Sequence, residues 1–311
     1  MTAKPYDPSN LIRAACAALE GQLKMLETTP DKYFNACTDP QSPRLSDLAA
    51  MKLTPHKLAT HQRRLWQKSN HLARLTMANL SDHGNALLQL LRSGDLPLFA
   101  HMTLARPTAE AAVIVTHLLD SNITYEERLI RGAALLLENA RAQKTLSQDF
   151  PPDAQKVLGP AADAELKAIR SQISRGGITV ELDKRGKECR LRLGAHAAPM
   201  KLEFTTKVAT LFPRRPGAYR VASGAIHSSP RALNARVSTS TAAGVGFVTS
   251  LGEIGGAVTL VLEAIGIVLA SYARYNGQTG EDEARVTRQR ITIITGYMTE
   301  YFRFAATLGI S

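Results

Sequence analysis

The stretch from Tyr219 to Pro230 holds the residues in this chain best suited to acid–base chemistry. Arg220, Ser223 and His227 are spaced by three and four positions, which puts them on one stripe of an α-helix. Arginine holds a phosphate through its planar fork, and histidine exchanges protons near neutral pH. Such a stripe is equipped to bind and cleave RNA. The competing reading is structural: His227 caps or hydrogen-bonds the chain before Ser229-Pro230, and Arg220 pairs with a carboxylate.

A second constellation lies upstream. Arg106 and Glu110 sit four residues apart in LARPTAEAA, among small and apolar neighbours. An ion pair in such a setting is costly to bury unless further polar groups join it. Arg128 and Arg131 in EERLIRGA, and His83 in SDHGNALL, are the candidates to complete a polar network. Its competing roles are catalysis and the cohesion of a helical core.

The third feature is charge. The formal net charge is +11, and it is concentrated. Residues 48–81 carry six Lys or Arg and no acid, and residues 164–215 carry twelve against five acids. Concentrated basic charge neutralises phosphates and releases counterions, which makes an RNA or DNA backbone a candidate partner. The residues placed for it are Arg63 and Arg64 in the first stretch and Lys184, Arg185, Lys187, Arg190 and Arg192 in the second. Aromatic residues able to stack on bases are scarce in both stretches, so an ordinary solvated basic surface competes with this reading.

Familiar catalytic motifs are missing. The chain has no Walker loop, no G-x-G-x-x-G after a strand, no H-E-x-x-H and no G-x-S-x-G. Cys16, Cys37 and Cys189 are far apart and form no metal-ligand spacing, so neither a metal nor a cofactor is expected. Three scattered cysteines fit a reducing cytoplasm. The first residues lack an apolar signal core, which predicts a retained N-terminus.

The elements that must position these groups read as helices. Helical spacing runs over Asn10–Leu26, from Pro55 to about Leu91 with Thr54 as N-cap, over Ala100–Leu119, and from Thr124 to about Lys144. Residues 148–163 read as a connector before a short helix, Ala164–Ser174. Alternation then takes over: Ile178, Val180 and Leu182 face Cys189, Leu191 and Leu193 across a Lys184–Lys187 turn, the pattern of a β-hairpin. Helices follow around Met200–Phe212, over Ala218–Ile226, between about Thr239 and Tyr275, and over Asp282–Leu308.

The apolar run Ile254–Tyr272 is long enough to span a membrane, but Glu263 at its centre favours a buried core helix and no membrane. Glu263 is expected either to pair with a cation, with Arg274, Arg285, Arg288 and Arg290 on or near the neighbouring helix, or to reach solvent. Gly244, Gly246, Gly252, Gly255 and Gly256 in the same stretch suit close helix packing better than a phosphate cradle. With 44% hydrophobic and 21% charged residues, the chain has a globular composition. The fold expected is mainly α, a multi-helix bundle with one small β-hairpin insertion. Its parts are an N-terminal helical region (1–150), a connector helix with the hairpin (151–217), and a C-terminal helical region (218–311) packed on the first.

The run YRVASGAIHSSPRAL resembles the signature Tyr-Arg-x-x-Ser-Gly-x-x-His-x-x-Pro-x-Ala-Leu of a group of bacterial helical proteins without an assigned activity. HMTLARPTAEAAVIVTHLLD and YEERLIRGA resemble that group's upstream helices, so the likeness covers about residues 80–235. Arg220 and His227, with six residues between them, are also similar to the Arg-x(4–6)-His motif of HEPN ribonucleases. That resemblance implies a homodimer joining two motifs, in which Arg220 holds a phosphate and His227 assists 2′-hydroxyl attack without metal. Two functions therefore stand as expectations. One is a non-catalytic nucleic-acid or protein interaction protein of a defence or mobile-element system; the other is a HEPN-like endoribonuclease.

Overall fold

The computed structural model describes residues 7–215, 217–226, 237–241, 244–247 and 249–307. Ten helices and five short strands occupy them, so the chain is mainly α with a small β insertion. Helix α1 (Pro8–Ala36) starts on Asp7, whose carboxylate accepts the Ser9 N–H at 2.9 Å. It runs ten residues beyond the Leu26 expected from sequence, carrying Pro30 within it.

A helix then stands where the sequence reading placed none. In α2 (Pro43–Leu53), Ser42 caps and Pro43 occupies the first turn, where a missing N–H costs nothing. Thr54 therefore does not start the following helix. It closes α2 by donating its N–H and hydroxyl to the Ala50 carbonyl, and α3 (His56–Arg92) begins after Pro55.

Helices α4 (Ala100–Leu118) and α5 (Tyr125–Gln148) match their sequence boundaries closely, with Thr124 accepting the Glu127 N–H as the N-cap of α5. The expected connector at 148–163 is largely helix: α6 spans Pro152–Arg175 and passes through Pro160. Proline removes one helical hydrogen bond. Here Lys156, Val157 and Pro160 all lie at the exposed surface, so water reaches the carbonyl left unmatched.

The hairpin is real and one strand larger than expected. Strands β1 (Thr179–Leu182), β2 (Glu188–Leu193) and β3 (His196–Pro199) form an antiparallel sheet in that order. Leu191 pairs with Val180 on one side and Ala198 on the other, and both Leu191 and Ala198 are buried. Their burial against α5 gives the third strand its reason to pair. Alternation fails at Leu182, which is 60% exposed, because a register shift falls between Glu181 and Leu182.

Helices α7 (Phe204–Leu211) and α8 (Ala218–Ile226) follow. The long apolar helix expected from Thr239 starts only at Leu251. Residues before it form an antiparallel pair, β4 (Val237–Thr241) and β5 (Gly244–Phe247), which takes Gly244 and Gly246 out of the helix. Ser250 then caps α9 (Leu251–Tyr275). A turn with left-handed Gly277 and Gly280 (φ 79° and 69°) reverses the chain into α10 (Glu281–Thr307).

Helix α9 is the one described helix long and apolar enough to cross a membrane by length and composition, and 83% of its apolar window is buried inside the protein. It packs against α1, α4 and α10. Gly252 and Gly266 permit the close approach of α10: a methyl on Gly252 would lie 2.6 Å from the Phe302 ring, and one on Gly266 2.5 Å from the Thr287 hydroxyl. The main core joins α1, α3, α4 and α7–α10, and a second cluster joins α2, α5, α6 and the sheet. Helix α3 contributes to both.

Candidate anion-binding cleft

The acid–base stripe is only partly described. Arg220 is exposed and Ser223 half-buried on α8, while His227 lies outside the described residues. What anchors α8 is the adjoining face, where Tyr219 and Ala222 are buried in the main core. The Tyr219 hydroxyl donates to Glu110 Oε1 at 2.8 Å and accepts from Arg106 Nη2 at 3.2 Å. Arg106 in turn meets Glu110 at 3.0 Å and lies 5.0 Å from the Tyr219 ring centre. Burial pushes the Tyr219 phenol above its usual range, so it stays neutral and serves as donor. Tyr219, next to Arg220 in the sequence, is the member of this cluster that sequence reasoning passed over.

The five residues expected to share one network separate into different settings. Arg128 reaches Asp47 of α2 by two bonds, Nε to Oδ2 at 3.0 Å and Nη2 to Oδ1 at 3.1 Å. Tyr275 and Trp66 also donate to Asp47, at 3.0 and 3.1 Å. Arg131 points the other way, to Asp120 at 3.1 Å and Glu127 at 2.6 Å. His83 is half-buried on α3 and makes no hydrogen bond or ion pair with these groups among the described residues.

The basic surfaces divide by neutralisation. On the sheet, Arg192 pairs with Glu181, and Arg170 and Arg141 both pair with Glu188. Lys184, Arg185, Lys187 and Arg190 are exposed and have no ion pair among the described residues. Asp183 shapes their turn by accepting the N–H groups of Arg185 and Lys187 at 2.8 and 2.9 Å. Arg63 and Arg64 are exposed on α3.

The structure also assembles a site that no single stretch of sequence announced. A cavity of about 670 Å³ opens between α4, α7, α9 and α10, with Arg131 of α5 at its edge. Six cations line it: Arg131, Lys207, Arg214, Arg215, Arg274 and Arg288. Two acids, Asp120 and Glu263, face them and are engaged by Arg131 at 3.1 Å and Arg215 at 3.4 Å. The cation beside Glu263 is thus Arg215 from the α7–α8 loop, and not one of the four arginines expected from the neighbouring helix.

Lys207, Arg214 and Arg288 are exposed and form no close ion pair among the described residues. Val113, Leu119, Leu211, Ile267 and Ile291 give the cavity an apolar wall. His117 lies between Arg131 and Lys207 in charge terms: burial, then these two cations, lower its pKa from 6.5 to about 4. It is neutral at physiological pH and able to accept a hydrogen bond. The cations come from positions up to 157 residues apart in the chain, which is why charge counting along the sequence could not find the site.

Among the described residues no three His, Cys, Asp or Glu side chains are grouped to hold a metal ion. Compared with protein-family models, curated proteins and solved structures, the chain matches none.

Proposed function

We propose that this protein is a non-catalytic interaction protein whose partner is nucleic acid, held through its phosphate backbone. The observation that carries this reading is the β1–β2 turn and its neighbour, where Lys184, Arg185, Lys187 and Arg190 stand exposed with no ion pair among the described residues while Arg170 and Arg192 are paired with glutamates. Exposed cations on a hairpin turn are available to phosphates, and each phosphate they neutralise releases a counterion. Association should be insensitive to sequence, because no aromatic platform for base stacking accompanies these residues.

The test is fluorescence anisotropy with single- and double-stranded oligonucleotides over a salt series. Binding that weakens linearly in log Kd against log salt is expected, and reversing Lys184, Arg185 and Lys187 to Glu should lower the slope by about 0.7–0.9 for each phosphate no longer neutralised. No binding at low salt, or a slope unchanged by the triple substitution, refutes the reading.

A metal-independent HEPN-like ribonuclease is the second reading, favoured by the exposure of Arg220 on a helix fixed by Tyr219 and Ala222. It requires a homodimer, and RNA cleavage in EDTA that is lost in Arg220→Ala and His227→Ala.

A further inference from the structure

We infer that the cleft between α4, α7, α9 and α10 is a binding site for a small phosphorylated molecule, a di- or triphosphate carried on an apolar or planar body. This site is separate from the hairpin surface and does not depend on the nucleic-acid reading. Its dimensions are the first support. At about 670 Å³ it lies within the size range of small-ligand pockets, and it is concave where nucleic-acid backbones are usually met on open surfaces.

Charge is the second support. Asp120 and Glu263 each already hold a cation of the cleft, Arg131 and Arg215. Lys207, Arg214 and Arg288 form no close ion pair among the described residues, although Arg214 acts on Glu263 from a distance, and all three converge on one cavity. Like charges brought together repel, and a polyanion placed among them relieves that repulsion. Arginine forks favour phosphate, with its several oxygens on one centre, because two parallel N–H groups engage it at once.

The third support is the mixed lining. Asn122 offers an amide donor beside the cations, whereas the Thr116, Thr210 and Thr292 hydroxyls already donate to carbonyls of their own helices, and Ile267 and Ile291 offer an apolar face for a base or similar group. A simple inorganic anion would leave that face unused. Sites of this composition orient a ligand with a few polar groups and hold its body by burial.

The experiment is calorimetric titration of the full chain with ADP, with pyrophosphate and with adenosine. ADP is expected to bind with Kd below about 1 mM, pyrophosphate to compete with it, and adenosine to bind at least tenfold more weakly, tenfold being about 1.4 kcal/mol. Arg214→Glu/Arg288→Glu should weaken ADP at least tenfold, and the milder Lys207→Gln should weaken it less, with each variant's melting curve confirming the fold. The hairpin variant Lys184→Glu/Arg185→Glu/Lys187→Glu should bind ADP unchanged, which separates this site from the nucleic-acid surface. The inference is overturned if neither ADP nor pyrophosphate binds, if adenosine binds as well as ADP, or if the cleft variants bind ADP like the parent.

Discussion

Asp47 of α2 and Arg128 of α5 face each other in a two-bond pair at 3.0 and 3.1 Å, with 1% and 6% of their side chains exposed. Tyr275 and Trp66 complete the acceptor demand of the carboxylate, and the remaining Arg128 donors reach the Asp120 and Ile123 carbonyls. Four helices, α2, α3, α5 and α9, are tied at one carboxylate.

Removal of one member should leave a buried charge without its partner. Asp47→Ala is expected to cost about 3–5 kcal/mol, more than most single substitutions. The double variant Asp47→Ala/Arg128→Met should cost clearly less than the two single changes summed, because it removes both charges. Urea denaturation of the four proteins measures the coupling, and simple additivity would contradict a direct pair.

This cluster also shows where sequence reasoning stopped. Arg128 stood out as a candidate to complete the polar network of Arg106 and Glu110. Asp47 did not, since no helix was read between Leu26 and Pro55. Helical periodicity revealed α4, α5 and α9 because each buries a continuous face in a core. The first half of α6 was read as a connector because it is exposed and proline-bearing, and so has no apolar period to read. Position along the chain revealed the paired and unpaired hairpin cations alike, whereas the cleft depends on which helices pack together. That packing is a tertiary fact, and residue spacing does not encode it locally.

Two glycines of α9 give a paired test of helix packing. Gly266 has no room: a methyl there would sit 2.5–2.9 Å from the Thr287 side chain, whose branch point is fixed close to the α10 backbone. Gly256 has open space around the same position. Gly266→Ala should therefore destabilise by about 1–3 kcal/mol. Gly256→Ala should be neutral or stabilise by up to about 1 kcal/mol, since alanine favours the helix. Thermal melts of both variants decide it, and equal effects would mean that the α9–α10 contact is looser than the geometry states.

His117 makes stability depend on pH in a defined window. Burial, aided by Arg131 and Lys207 and opposed by Asp120, lowers its pKa from 6.5 to about 4. Between these values the unfolded chain binds a proton that the folded chain refuses, so folding weakens as pH falls through the window and the contribution levels off below it. Carboxylates that lose their native partners on protonation add their own acid sensitivity. The relevant quantity is therefore the difference between the parent and His117→Gln. Urea denaturation at pH values from about 7 to about 5 should show a shallower decline for His117→Gln. Identical declines would show that His117 is not held neutral in the fold.

Glu263 and Arg215 offer the last test, because their pair lies where the apolar helix borders the cleft. Burial pushes the Glu263 carboxyl above its ordinary pKa, and Arg215 and then Arg214 oppose that rise. Arg215 also donates to Thr259 and approaches the Gly256 carbonyl at 3.5 Å, so it stitches the α7–α8 loop to α9. Arg215→Met removes the opposing charge and should cost about 1–3 kcal/mol near neutral pH, less than the fully buried pair at Asp47 because both side chains keep about a fifth of their exposure. With its cation gone, Glu263 should hold its proton to higher pH. A carboxyl with a raised folded pKa favours folding while protonated and loses that advantage as pH rises through the folded value. The deficit of Arg215→Met should accordingly shrink on acidification, and Glu263→Gln in the same chain should remove most of that pH dependence. If the deficit is the same at every pH and Glu263→Gln does not relieve it, the role of Arg215 lies in its bonds to Thr259 and Gly256 rather than in charge.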